Sequence, residues 1–586
     1  MNRRKFLGSL ASSSSIGWIV ANSLGASMAS ASPYANPVPL FQSPTAAGLD
    51  AAQLNTLFTI NPAFTSEQQA QTFPQSVASG DPSVNGIVLW TRVDPNYQTA
   101  GNQLAWQIAA DSAFSSVLAQ GSTSLTPGND NTAKLPITVD GILQPFTVYY
   151  YRFIYNGVPT RTGRFKTLPL PTATPPAVNF AFVVCQDYGN GYYTALAHLA
   201  QEQQPDYVIH LGDYIYETIT SNSQGIPARM VPPFPSGSTT VPVDVNDYRH
   251  LYQLYRSDPG QQAVHEAFAY IQLWDDHEFA NDCHQDFHPD NNIAPDTADT
   301  PQPALRQAAN QAWSEYGLAD VPFDPNGQWN TSIQIYRKFS FGTLADLIVT
   351  DERLYRDGPP CGSSEDFQRY FSVGCGEIED ASRTMLGAVQ KQWFLNQVTG
   401  SAATWKLWAN EVMLMQLKLA GLLYVNLDQW DGYGKERQDL FNAIQNAGVK
   451  NFIALTGDLH TFLAGYLKAD FDNIFASPMG IELVVGSISS ANLTEDIESA
   501  VDLPSCPLPA KQFGVPPHAI EPLIRINNPH IRYWNSSTHG YALVTLTSAQ
   551  LTCVFKAVST IRDQTADLLT LRTFTVPSGR VQLNQS

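Results

Sequence analysis

At 586 residues the chain is longer than one ordinary hydrophobic core organises, so two or more domains are expected. Hydrophobic residues make up 43% and charged residues 15%, which is a globular composition rather than a disordered one. The formal charge of −19 disfavours stable nucleic-acid binding and anionic-membrane binding, both of which need basic surface.

The stretch Asn2-Arg-Arg-Lys-Phe-Leu7, followed by a weak apolar run broken by Ser12 to Ser15, reads as a twin-arginine export signal. Ala29-Ser30-Ala31 fits a cleavage site, so residues 1–31 are expected to be a signal peptide. The mature protein is then periplasmic or secreted, with the twin-arginine machinery as its transport partner. No run of ~20 apolar residues exists, so no membrane span is expected in the mature chain. Residues 32–72, rich in Pro, Ala and Gln, read as a linker or wrapping segment.

From residue 73 to 168 short β-type runs alternate with turns: Gly86–Trp90, Leu104–Trp106, Lys134–Thr138 and Thr147–Phe153. That spacing predicts an all-β sandwich of immunoglobulin or fibronectin type. Pro169–Pro176 makes a stiff linker, and a second domain is expected over 177–586. Helical spacing marks Tyr192–Ala200, Asp247–Arg256, Leu305–Tyr316 and a stretch beginning at Ser382; residues 218–245 and 282–301 read as long loops. Arg249 and Arg256 have the spacing of ordinary solvated helix charges, but beside an anion site either could clamp phosphate. Six cysteines are too few for a disulfide scaffold, although Cys361 and Cys375 flank a polar loop that a local bridge could close.

Five apolar runs in the second domain end in chemistry-bearing residues. Phe180–Cys185 ends in a thiol, and Tyr207–Leu211 runs into Gly212 and Asp213, with Tyr216 three residues on. Tyr270–Glu278 ends in Asp275, Asp276 and His277; Leu347–Asp351 is followed by Arg353; Asn451–His460 ends in Gly457, Asp458 and His460. One Gly-Asp after an apolar run is usually a plain turn. Five such tips, delivered to one rim by the buried strands of a parallel or mixed sheet, predict a polynuclear metal site. A thiolate and a phenolate suit a trivalent or borderline-soft ion such as iron, whereas carboxylates and amides suit calcium or magnesium. Two kinds of metal are therefore expected. Phosphate ester hydrolysis, among the slowest reactions known, is the chemistry that such a cluster serves.

The motifs Val77-Ala-Ser-Gly-Asp-Pro82 with Leu89-Trp-Thr-Arg92, Cys185-Gln186, His210-Leu-Gly-Asp-Tyr-Ile-Tyr-Glu217, Trp274-Asp-Asp-His-Glu278, Arg383-Thr-Met-Leu-Gly387, Asp428-Gln-Trp-Asp-Gly-Tyr433 and Leu455-Thr-Gly-Asp-Leu-His460 stand in this order along the chain. Together they resemble the PhoD-like alkaline phosphatase/phosphodiesterase family of the metallophosphoesterase group. The resemblance implies an α/β (α+β) four-layer α/β/β/α catalytic domain preceded by the β-sandwich. It implies hydrolysis of small phosphate mono- and/or diesters by attack of metal-bound hydroxide. Cys185, Asp213 and Tyr216 would bind one Fe³⁺, Asp213 would bridge to one or two Ca²⁺, and Asp458 and His460 would complete the cluster. The third ligand block is either Asp276 or Asn281. Asp213, Asn281, His277 and Arg249 are the candidate catalytic residues, and Arg249, Arg256 and Arg353 the candidate substrate contacts. Two other readings stand beside this one: an exported nuclease, and a non-catalytic surface-binding protein with structural calcium. Sulfur at Cys185 speaks against the latter, since a pure calcium site has no use for it.

Overall fold

Two mixed β-sheets carry the molecule. The larger has ten strands in the order Asn584–Gln585, Leu568–Pro577, Gln550–Val558, His539–Leu546, Val178–Val183, Tyr207–His210, Ala269–Gln272, Val77–Gly80, Gly86–Arg92 and Thr132–Thr138. The second has seven: Arg337–Phe341, Ala345–Val349, Trp405–Asn410, Phe452–Thr456, Gly480–Val484, Phe462–Leu467 and Ile531–Asn535. The computed structural model describes residues 56–98, 101–219, 229–289, 300–361, 372–419, 421–495 and 520–586. The expected signal peptide and most of the segment 32–72 lie outside these residues, as do the middles of the loops at 218–245 and 282–301. Among the described residues no helix is long and apolar enough to cross a membrane.

Side-chain parity fixes how the sheets are stacked, because successive residues of a strand point to opposite faces. Leu347, Leu407, Ile453 and Leu483 belong to the same apolar cluster as Phe180, Phe182 and Val544 of the larger sheet. Their strand neighbours Ile348, Trp408, Ala454 and Val484 instead join a cluster with Phe394 and Val398 of helix Gly387–Gly400 and with Leu440, Phe441 and Ile444 of helix Gly434–Asn446. The ring pairs Phe180–Phe341 at 4.9 Å and Phe462–Phe555 at 5.1 Å close the space between the sheets. Helices Thr194–Leu199 and Pro259–Ala267 pack on strands of the larger sheet, and helix Pro303–Tyr316 packs against helix Val245–Tyr255.

This arrangement corrects one expectation. The five tips do not share one sheet: Val178–Val183, Tyr207–His210 and Ala269–Gln272 belong to the larger sheet, Ala345–Val349 and Phe452–Thr456 to the smaller. A continuous apolar run reports burial of both strand faces, and a facing sheet buries a face as well as a helix does. The rim is therefore built from two sheets whose carboxyl ends coincide.

The N-terminal region also differs from a self-contained sandwich. Five of its strands, Gln103–Ala109, Val117–Ser124, Val148–Tyr155, Val158–Pro159 and Gly163–Lys166, form a separate antiparallel sheet. Val77–Gly80, however, pairs in parallel with Ala269–Gln272 and brings Gly86–Arg92 and Thr132–Thr138 into the larger sheet. Gly80 makes the join: a Cβ there would stand 2.1 Å from the Leu318 carbonyl oxygen. Trp90 Nε1 donates to the Glu315 carbonyl at 2.9 Å across the same seam. Turn spacing reveals that strands exist, but not that one of them pairs with a segment 190 residues away.

The helix expected from Ser382 begins only at Gly387, because carboxylates of Asp380 and Asp357 take the N–H groups of Ser382 (2.8 Å) and Thr384 (2.9 Å). The Cys361–Cys375 bridge is present, and Cys185, Cys283 and Cys553 are free and buried.

Just beyond strands Ala345–Val349 and Trp405–Asn410, Glu352 and Glu411 cap each other's backbone: each carboxylate accepts the other's N–H, at 2.7 and 3.0 Å. Both are fully buried. Burial pushes Glu352 up from 4.5 to about 7, and burial plus the Glu352 charge pushes Glu411 well above its ordinary value. The folded state thus keeps protons that the unfolded chain releases, so stability should fall as pH rises from 4.5 through about 7. Glu411→Gln is expected to flatten that slope, and urea midpoints at about pH 5 and about pH 8 measure it.

Candidate metal centre and active site

The side chains that converge on the rim sit on unusual backbone. Cys185, Asp213, Asp458 and His460 have φ of 54°, 55°, 59° and 55°, a left-handed conformation that costs a non-glycine residue about 1–3 kcal/mol. The surrounding ladder imposes it: Cys185 N–H donates to the Gly212 carbonyl at 3.2 Å, Gln186 N–H to that of Asp213 at 3.0 Å, and Gly457 N–H to that of Glu411 at 3.1 Å. Gly212, at φ 105°, must be glycine, because a Cβ would lie 2.5 Å from the Asp275 Cβ.

Donor atoms of Cys185, Asp213 and His460, all buried, lie within 4.8 Å of one another. The Tyr216 hydroxyl joins them, donating to Asp213 Oδ2 at 2.9 Å and standing 3.1 Å from His460 Nε2. His460 Nδ1 is 2.7 Å from the Ala491 carbonyl oxygen, which can only accept. Nδ1 therefore carries the proton, and the Nε2 lone pair faces the cluster. Burial raises the Cys185 thiol and the Tyr216 phenol well above their ordinary values, and the Asp213 charge adds to both. Burial also lifts Asp213 to about 7. A cation among these groups would reverse all three shifts at once, and thiolate, phenolate, carboxylate and imidazole are a donor set that fits iron.

A second group of atoms adjoins the first. Asp213 with Asp276 and His277, and Asp275 with Asp276 and Asp458, each bring ligand atoms within 4.8 Å; so do Asp276, Asp282 and Asp428. The two all-carboxylate corners, Asp275–Asp276–Asp458 and Asp276–Asp282–Asp428, suit a hard cation such as calcium. Glu278 sets the backbone beneath them, accepting the N–H groups of Asp213 (3.0 Å), Tyr214 (2.7 Å) and Asp275 (2.8 Å). His277 lies between the two groups, its ring stacked on Tyr216 at 4.0 Å and its Nδ1 2.6 Å from Glu217 Oε2. Burial opposes a charge on His277, yet Glu217, Asp213 and Asp276 together hold it well above the ordinary histidine range.

The candidate third-block residues are placed differently. Asp276 accepts the N–H of His277 at 3.0 Å and lies in three of the four carboxylate-bearing groups. Asn281 is fixed through its backbone N–H to Glu217 at 3.1 Å.

The three candidate arginines each have partners within the protein. Arg249 is committed to Glu315 at 2.6 and 2.7 Å and to the Gly128 carbonyl at 2.6 Å. Arg256 is buried over the Trp90 ring at 4.0 Å and donates to the Tyr316 carbonyl. Their described partners belong to the helices and the N-terminal strands, and none is a rim carboxylate. Helical spacing placed both on one element without saying which face met the rim. Arg353 is at the rim but fully buried, pairing with Asp275, with Asp428 at 2.6 Å and with Asp458 at 3.2 Å. Its guanidinium is wholly enclosed and offsets the charge of these carboxylates.

Comparison with known proteins agrees with this geometry. The family model "PhoD-like phosphatase" matches residues 180–555, and "PhoD-like phosphatase, N-terminal domain" matches residues 59–169. The chain belongs to the PhoD-like phosphatase family. It is accordingly a phosphoric ester hydrolase, and the reading as a non-catalytic calcium-binding protein is set aside. The phosphatase is 31% identical to alkaline phosphatase D of Bacillus subtilis (strain 168) over 555 residues, covering 92% of this chain and 86% of that protein. It superposes on a solved structure, "Structure of PhoD", with a TM-score of 0.74 and 29% identity, covering 90% of this chain and 93% of that one.

Several site residues were not singled out from sequence: Glu217, Glu278, Gln429 and the loop at 487–492. The first three stand inside the quoted motifs, so proximity along the chain was the available signal. Gln429, whose Nε2 donates to Asp458 Oδ2 at 2.6 Å, is the second residue of the Asp428–Tyr433 motif.

Because Arg353 is the cation on which Asp275, Asp428 and Asp458 converge, Arg353→Met should destabilise the chelator-treated protein by about 3–5 kcal/mol. Arg353→Lys should also destabilise it, since one ammonium cannot fork among three carboxylates. Urea unfolding measures both.

Proposed function

We propose that this phosphatase is an exported, metal-dependent enzyme that hydrolyses small phosphate mono- and/or diesters on a four-layer α/β/β/α metallophosphoesterase scaffold. The observation that carries the reading is the meeting of a thiol, a carboxylate, an imidazole and a phenol at Cys185, Asp213, His460 and Tyr216. These residues would hold one Fe³⁺. Asp213, Asp276 and Asp458, with Asn281 as the competing amide ligand, would hold one or two Ca²⁺. Bound there, the ions would supply Lewis acidity toward phosphate oxygens and a water of lowered pKa. Export rests on Arg3 and Arg4 before the short apolar stretch, with the periplasm or the exterior as destination.

The chain's own part centres on His277. Glu217 accepts from Nδ1 at 2.6 Å and favours the charged ring, and Tyr216 packs on the ring face, so the imidazole is oriented beside the metal-binding carboxylates. From that position it donates a proton to the departing ester oxygen. Asp213 ties the two groups of ligands together and orients the His277 backbone through the N–H at 3.3 Å.

The test combines metal removal with substitution. A calcium chelator should abolish turnover while iron remains bound, and full activity after exhaustive chelation would overturn the calcium assignment. Tyr216→Phe should shift or bleach the visible charge-transfer absorption, and Cys185→Ser should lower iron content. Colourless, fully active wild-type protein without iron would remove iron from the reading.

For the proton donor, His277→Gln should lower kcat/KM by about 10²–10⁴-fold for esters with poor leaving groups, and much less for nitrophenyl esters, which depart unaided. Equal losses on both substrate types would exclude a general-acid role.

A further inference from the structure

The loop Ser487–Asn492 contributes no ligand, yet it holds the thiol-bearing corner of the site at several points. The Cys185 carbonyl accepts the N–H groups of Ile488 (3.1 Å), Ser489 (3.3 Å) and Ser490 (3.3 Å). Ser490 Oγ accepts the N–H of Asp187 at 3.0 Å, and Ser489 Oγ donates to the Asp187 carbonyl at 2.8 Å. The Ala491 carbonyl takes the Nδ1 proton of His460 at 2.7 Å. The loop thereby fixes both the left-handed turn at Cys185 and the tautomer of His460.

Buried Asn190 holds the loop on one side, its Nδ2 donating to the Ser489 carbonyl at 2.6 Å; a second buried side chain, His539, stands at the start of strand His539–Leu546. Its Nδ1 lies 3.0 Å from Ser487 Oγ. Ser487 spends its hydroxyl proton on the Ser490 carbonyl at 2.6 Å, so toward His539 it can only accept, and Nδ1 donates. On the other side Nε2 faces two groups at 3.1 Å, the Glu495 carboxylate and the Asn492 amide nitrogen. The amide is oriented by the Glu495 N–H, which donates to Asn492 Oδ1 at 3.0 Å, and Glu495 also accepts the Asn492 N–H at 3.0 Å. Arg562, 4.0 Å from Glu495 Oε1, is the other charged group at this corner. A charged ring can thus donate from Nε2 to Glu495, and a neutral ring can accept there from Asn492. In both states Nδ1 still donates to Ser487. The serine–histidine–carboxylate order is not a nucleophilic triad, because Ser487 is fully buried and its proton is already committed.

We propose that His539 is a positioning residue for the metal centre: it clamps the loop Ser487–Asn492, and through it Cys185 and His460. The proposal rests on the metal reading above for its consequence, but the clamp exists independently of any ion.

The experiment uses full-length enzyme and the variants His539→Ala and His539→Gln. Iron affinity is measured by competition with an iron chelator, alongside the visible absorption band and its rescue by added imidazole. His539→Ala should bind iron about 10–100-fold more weakly and shift the band, and imidazole should restore both. Wild-type affinity and absorption in a folded His539→Ala would overturn the proposal. If His539→Ala does not fold, His539→Gln decides: it keeps a donor toward Ser487, so a smaller weakening is expected, and none would overturn the clamp. If wild-type protein holds no iron, the metal reading fails on its own. Amide exchange of residues 487–491 then tests the clamp: faster exchange in the variants supports it, and unchanged exchange overturns it.

Discussion

Negative charge confined in a dry interior is the constraint around which this molecule is built. Asp213, Asp275, Asp276, Asp428 and Asp458 are all buried within one rim, and desolvation alone would force most of them to take up protons. Arg353 meets part of that charge, and Arg356, 2.6 Å from Asp428, supports it. What remains faces the Cys185–Tyr216–His460 corner, where metal ions would complete the neutralisation. The arginines and the rim carboxylates therefore form one electrostatic unit, with Arg353 shared among Asp275, Asp428 and Asp458.

The fold delivers this unit by aligning the carboxyl ends of two sheets. The residues just past the strand ends are pinned by carboxylates: Glu278 accepts the N–H groups of Asp213 and Asp275, Glu217 takes the His277 ring nitrogen and the Asn281 N–H, and Glu352 and Glu411 take each other's N–H. Side chains forced into left-handed backbone stay in place because the hydrogen bonds around them leave few alternatives.

Much of the site was legible before the structure, because each chemistry-bearing residue follows an apolar run within a few positions. Cys185, Asp213, Tyr216, Asp276, His277, Asp458 and His460 are brought together as their position at strand ends suggested. The sequence was silent where the decisive relation is between distant segments. Val77–Gly80 joining Ala269–Gln272, and five tips divided between two sheets, leave no local periodicity to read. The arginines show the same limit: Arg249 and Arg256 have the composition of a phosphate clamp, and only packing reveals that Glu315 and Trp90 already hold them. His539, 79 residues from the ligand His460, carried no signal at all, since its role passes through a loop of small residues.

The chain also keeps two sulfur chemistries apart. Cys361 and Cys375 are joined near the surface, the latter exposed, whereas Cys185 is entirely enclosed among aromatic and carboxylate groups. An oxidant that closes the first pair from solvent does not meet the second thiol. Depth below the surface does the sorting, leaving one sulfur pair oxidised and the enclosed thiol reduced within the same chain.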